Sequence, residues 1–105
     1  MSIQFPYHTD RRIVCIGGQQ SWQKKIRSCL PDVTFCKPDV KTNVAAFEYA
    51  DEIWIQVNGL HHQQSMPVIN LAKTRNIPVK YFSKSGAQQC AKQLANHDRS
   101  FRKAV

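Results

Sequence analysis

The chain has 105 residues, 42% of them hydrophobic, and fifteen Lys and Arg against seven Asp and Glu give it a formal net charge of +8. That is the length of one domain, too apolar for a disordered chain and lacking the ~20-residue apolar stretch that a membrane span requires. The positive surplus favours polyanionic partners, a solvated basic face being the other reading, and residues 1–10 hold no apolar signal segment, so a cytoplasmic protein is expected.

Residues 1–11 read as an N-terminal arm, with Phe5-Pro6-Tyr7 packing on the body along the extended path that proline favours. Residues 12–16 are the first predicted strand, because Ile13-Val14-Cys15-Ile16 is a continuous apolar run of the kind covered on both faces. Gly17-Gly18 then turns the backbone without a Cβ clash. Trp22, Ile26, Cys29 and Leu30 recur at helical spacing, with Lys24, Lys25 and Arg27 off that stripe. Ser21 is the predicted N-cap of this helix and Pro31 its stop. Residues 33–36 form a short second strand. Residues 39–50 hold a brief helical turn, capped by Thr42 or Asn43, with Val44 and Phe47 pointing inward.

Residues 52–57 are the third strand, broken by Asn58-Gly59. A helix follows to about Arg75 and stops at Asn76. Its start has two readings: Ser65 as N-cap, with Pro67 in the first turn, or a start near His61, with a kink at Pro67. Residues 77–82 are the fourth strand, with Pro78 at its beginning, where a proline is tolerated. Ser83-Lys84-Ser85-Gly86 is a polar turn, and Ala87, Cys90, Ala91, Leu94 and Ala95 form the apolar face of a last helix. Residues 97–105 read as a frayed basic tail.

Alternating strands and helices, with continuous apolar strands, predict a single α/β domain: an open parallel sheet of about four strands with helices on both faces. Right-handed crossovers favour the order 2-1-3-4, a small Rossmann-like or flavodoxin-like sheet. Its thinly covered edges make a homodimer a natural assembly. Cys15, Cys29, Cys36 and Cys90 lack the short paired spacing of a zinc site and read as structural thiols.

Ligands of such sheets bind outside the carboxyl ends of the strands. The turns there supply Gly17, Gly18, Gln19 and Ser21, then Lys37, then Asn58 and His62, then Ser83, Lys84, Ser85 and Gly86. None of these turns carries an acid, whereas Asp32, Asp51 and Glu52 fall at the amino ends. Helix-start N–H groups and Lys side chains would make that rim positive, which suits phosphate or sulfate. It does not suit a magnesium site or paired-acid hydrolysis. Neither G-x-G-x-x-G nor G-x-x-x-x-G-K-[ST] is present.

Three pieces taken together resemble a small bacterial family of Rossmann-like domains of unknown function. They are Ile16-Gly17-Gly18, the run from Ala50 to Ile55 leading to His62 and Ala72-Lys73, and Ile77-Pro78-Val79 leading to Ser83-Lys84-Ser85-Gly86. The resemblance covers about residues 12–94. The chain departs from it at Leu60-His61 or His61-His62, where Ser-His or Asn-His is expected and spacing to Ala72-Lys73 favours His62, and at Gln19, where a histidine or charged residue is expected. It implies the fold and no activity. Three functions follow as expectations. The first is a non-catalytic module, without cofactor or metal, that binds a phosphorylated or other anionic ligand, nucleotides included, through the turn residues above. The second is nucleic-acid binding through Lys24, Lys25, Arg27, Arg99, Arg102 and Lys103. The third is a small phosphotransfer or hydrolytic enzyme using His62, for which no nucleophile–base–orienter set is visible.

Overall fold

A computed structural model describes residues 3–104, and side chains as far as Phe101. Its elements are β1 (Ile13–Gly17), α1 (Gln20–Cys29), β2 (Thr34–Phe35), α2 (Val44–Glu48), β3 (Glu52–Gln56), α3 (His62–Arg75), β4 (Val79–Tyr81) and α4 (Ala87–Ala104). The strands form one all-parallel sheet in the order β2-β1-β3-β4, as the alternation predicts. Among the described residues no helix is long and apolar enough to cross a membrane.

Every residue of β1 and β3 is buried, so the two runs that read as continuous are the centre of the sheet. Their side chains alternate between two cores. Ile13, Cys15 and Trp54 pack under α1 and α4 with Trp22, Ile26, Leu30, Cys90, Ala91 and Leu94. Val14, Ile16, Ile53 and Ile55 pack under α2 and α3 with Phe47, Val68 and Ala72. Each apolar residue removed from water contributes on the order of 1.5–3 kcal/mol, which is why uninterrupted runs specify the two-sided burial.

Several boundaries differ from the sequence reading. Strand β2 keeps two residues of the expected four, because the Val33 N–H is taken by the Leu30 carbonyl. Strand β4 is shortened to Val79–Tyr81, because the Ile77 N–H closes the end of α3 on Ala72, beside Asn76 in the left-handed region. Helix α1 begins after Gln19 rather than Ser21: the Gln19 carbonyl accepts from the Gln23 N–H at 2.9 Å, which places Ser21 inside the first turn. In α2, Asn43 holds the N-cap position, but its amide donates to the Lys37 and Asp39 carbonyls, and Val44 is exposed while Phe47 is buried.

Helix α3 starts at His62, so the reading with Ser65 as N-cap does not hold. The His61 N–H donates to Gln64 Oε1 at 2.8 Å and fixes the earlier start, while Ser65 is buried with its hydroxyl on the His62 carbonyl. The largest correction concerns residues 97–104, expected to fray, which continue α4 instead. Asp98 is fully buried, and His97, Asp98 and Phe101 all contact the rest of the domain.

Candidate functional site

All four strands point their carboxyl ends to one side, so the turns after β1, β3 and β4 meet there. The order reverses between β1 and β3, and the chain is tied at that point by the Gly18 N–H donating to the Asn58 carbonyl at 2.7 Å. Gly17 and Gly18 have φ of +87° and +82°, and both are hemmed in. A Cβ on Gly17 would stand 1.9 Å from the Gln56 carbonyl oxygen, and one on Gly18 would stand 2.3 Å from the Trp22 ring. The glycine pair therefore brings the first turn against β3 and lays it on Trp22.

Gln56 closes the arrangement from below. It is buried, its amide donates to the Lys84 carbonyl at 3.1 Å, and its Oε1 accepts from the Asn58 N–H. The Cys90 thiol donates to the same Lys84 carbonyl at 3.1 Å. Burial raises the Cys90 pKa, and the Trp22 and Gln56 side chains offset only part of that rise. The buried Trp22 Nε1 makes no well-formed hydrogen bond among the described residues and points its N–H toward the Cys90 sulfur.

Above this floor is an open cleft of about 290 Å³ lined by Gln19, Trp22, Gln56, Asn58, Gly59 and Ser85. Gln19 immediately precedes α1, and Ser85 stands two residues before α4. Neither helix has an acid in its first turn. The Gln19 side chain makes no capping hydrogen bond, so first-turn N–H groups of α1 remain without an intrahelical partner. Two helix starts thus face a neutral, hydrogen-bonding cleft with partial positive charge.

The structure separates the expected site residues. Gly17 and Gly18 build the turn, while Gln19, Asn58 and Ser85 line the cleft. Ser21 is exposed within α1 and outside the lining. Ser83 is turned away, its N–H and hydroxyl both donating to Gln93 Oε1. Lys84 contributes its carbonyl to the scaffold and has an exposed side chain, and Gly86 and Lys37 are also exposed. His62 lines a different hollow of about 230 Å³ with Ile55, Val57, Leu60, Ser65 and Tyr81, on the α3 side of the sheet. Gln56 and Trp22 were missed as lining residues. The signal for Gln56 is an amide that directly follows the apolar run Ile53-Trp54-Ile55 at the carboxyl end of the strand.

The four cysteines are free thiols. Burial pushes Cys15 well above the ordinary thiol range and Cys36 up to about 11, so both are held as neutral thiols at neutral pH. Among the described residues, no group of three or more His, Cys, Asp or Glu is placed to hold a metal ion.

At the opposite, amino-end side of the sheet lies a polar cluster that the sequence reading did not foresee. Arg11 donates to Asp98 at 2.9 Å and to Glu52 at 3.0 Å, Tyr7 donates to Asp98 at 2.6 Å, and Glu52 also meets Trp54 Nε1 and His97 Nε2. The Arg11 guanidinium lies 3.9 Å over the Phe101 ring. The expected nucleic-acid residues Lys24, Lys25 and Arg27 are exposed on α1, and Arg99 is half-buried on α4. The Arg102 and Lys103 side chains lie outside the described residues.

Comparison with protein-family models, with curated proteins and with solved structures found no match to this chain.

Proposed function

We propose that the domain is a binding module for a small phosphorylated ligand, held in the cleft formed by Gln19, Asn58 and Ser85. The observation that carries this reading is the convergence of two acid-free helix starts on one neutral polar cleft. An anion placed there gains from both helix dipoles and from backbone and side-chain donors. Ser85 offers a hydroxyl, the amides of Gln19 and Asn58 offer N–H groups, and the exposed Lys84 beside them adds long-range attraction. At about 290 Å³ the cleft is at the low end for small-molecule sites. It suits one phosphoryl group on a compact body, with Trp22 as an apolar wall, rather than a dinucleotide. The His62 hollow plays no part in this reading.

The test is a thermal-shift panel of inorganic phosphate, mononucleotides and sugar phosphates on wild type and Gln19→Glu. A ligand at a hundred times its Kd stabilises by about 2.7 kcal/mol, a shift of roughly 10 °C or more in a domain of this size. Gln19→Glu places a carboxylate at a helix start, which the dipole tolerates in the free protein but which repels a bound anion. The expected result is a shift in wild type that Gln19→Glu removes. If no compound stabilises the wild type, or if both proteins shift alike, the proposal fails.

A further inference from the structure

We infer that the outer face of the α1/α4 layer is a docking surface for the sugar–phosphate backbone of duplex nucleic acid, without base readout. This surface is separate from the cleft and does not depend on what the cleft holds. It follows from where the charges lie. Helices α1 and α4 pack on the same core and on each other. Each follows a strand of a parallel sheet, so they run side by side in the same direction.

Side-chain contacts fix which flank of each helix faces the other. On α1, the Arg27 guanidinium reaches over the Phe35 ring of β2, 5.5 Å from its centroid. The opposite flank, carrying Lys25, therefore faces α4, and Lys24 lies on top. On α4, Gln93 reaches over β4 to the Tyr81 carbonyl and to Ser83. The other flank, with buried Ala91 and Ala95, meets α1, and small residues there permit a close approach. Lys92 and Arg99, seven residues apart on one helical stripe, flank that seam. Lys24, Lys25, Lys92 and Arg99 thus gather across two neighbouring helices, over a patch on the order of 10 Å each way by helix rise and interaxial spacing.

Neither helix offers them an exposed acid. Helix α1 contains no acid, and the one acid of α4, Asp98, is fully buried and bonded to Arg11 and Tyr7. Among the described residues these four cations form no ion pair. The opposite layer differs, since Arg75 of α3 is paired with Glu48 of α2 at 2.6 Å. The exposed aromatics Tyr49 and Tyr81 lie off the α1/α4 layer, and Phe101 lies under Arg11. The patch therefore lacks the stacking platform that single strands use. A duplex, with one charge per ~1.7 Å of axis, presents the phosphate density that such a patch matches.

The test is fluorescence anisotropy of a labelled 20-base-pair duplex across a salt series. The comparison probes are a single strand of equal length and anionic phosphatidylserine vesicles. About four phosphate contacts predict a slope of log K against log salt near −3.6. Lys25→Gln with Lys92→Gln removes two contacts. It should flatten the slope by about 2 and weaken binding on the order of tenfold to a hundredfold at 0.1 M salt, equally for unrelated sequences. Lys73→Gln on α3 should change neither quantity, and Lys25, Lys92 and Lys73 are all solvated lysines whose loss leaves the fold intact. The inference is overturned if the duplex does not bind at low salt. It is equally overturned if Lys73→Gln costs as much as the double variant, or if vesicles or the single strand bind more tightly than the duplex. A cleft that binds no phosphorylated compound would leave this result untouched.

Discussion

Replacing Arg11 with Met tests what holds the last helix and the N-terminal arm to the sheet. The Met side chain keeps an apolar stem over Phe101 but removes a guanidinium that donates to Asp98 and Glu52. Those carboxylates are 0% and 2% exposed, and the Arg11 side chain is 11% exposed. Burial pulls the Arg11 pKa down, but hydrogen bonds and charge from Asp98 and Glu52 outweigh it, so the guanidinium stays above its ordinary value. A raised pKa gives stability that is fully present below the unfolded value and is lost only as pH rises through the folded one. For Arg11 both lie far above neutral pH, so the guanidinium stays charged between pH 5 and 9 and its own titration adds no pH dependence there. Breaking a buried ion pair from one side costs about 3–5 kcal/mol, against a total of roughly 5–15 kcal/mol for a domain. With a urea slope of about 1–3 kcal/mol per molar, a loss near 3 kcal/mol moves the midpoint down by about 1–3 M. Adding Asp98→Asn should recover part of this loss, giving a coupling of at least ~1 kcal/mol in a double-mutant cycle. A midpoint shift below ~0.5 M together with additive single variants would refute the reasoning, because the cluster would then contribute no more than an exposed pair.

Two further outcomes follow from local geometry. Gly17→Ala would drive a methyl to 1.9 Å from the Gln56 carbonyl at a φ of +87°; strain of about 1–2 kcal/mol from the left-handed backbone adds to the displacement of β3, so urea denaturation should show a loss of at least ~2 kcal/mol, and a loss below 0.5 kcal/mol would mean the turn re-forms freely. Asp39 accepts from the Thr42 hydroxyl at 2.7 Å and from the Thr42 and Lys41 N–H groups, and these bonds hold its carboxyl below the ordinary 3.8. A lowered carboxylate pKa gives turn stability that is present above the unfolded value and is lost as pH falls through the folded one. An NMR titration should therefore place Asp39 below 3.8 in wild type and higher in Thr42→Val, and equal midpoints in the two proteins would contradict the assignment.

Most of the sheet was legible because it rests on one strong signal. Ile13 to Ile16 and Ile53 to Ile55 are apolar without interruption, and only a two-sided parallel sheet buries such runs. What was illegible came from side chains that decide boundaries through distant partners. Residues 97–104 look like a polar tail in isolation, and they become helix because Asp98 and His97 find Arg11 and Glu52 across the domain. The start of α3 was open between two readings because it turns on whether Gln64 reaches back to His61. At the carboxyl ends of the strands, Gln19, Asn58 and Ser85 line one cleft. The carboxyl-end rule does not by itself say which face each turn serves. In the order 2-1-3-4, the crossover from β1 to β2 and that from β3 to β4 run in opposite lateral directions, so right-handedness puts α1 and α3 on opposite faces. His62 leaves with α3, which is why it parts from the cleft although its turn begins beside Asn58.

The bond between Tyr7 and Asp98 joins residues 91 positions apart in sequence. The N-terminal arm and the last helix therefore meet at one corner of the folded body, at the opposite end of the strands from the cleft. A reporter placed on the exposed His8 or Ser100 would stay clear of the mouth of the cleft. The same closeness makes a rearranged gene workable, with a short glycine-rich bridge joining the last turn of α4 to the arm ahead of Tyr7 and a new opening in the exposed turn around Lys41. Such a permutant should keep the parallel sheet and its pocket, since neither the splice nor the opening cuts a strand.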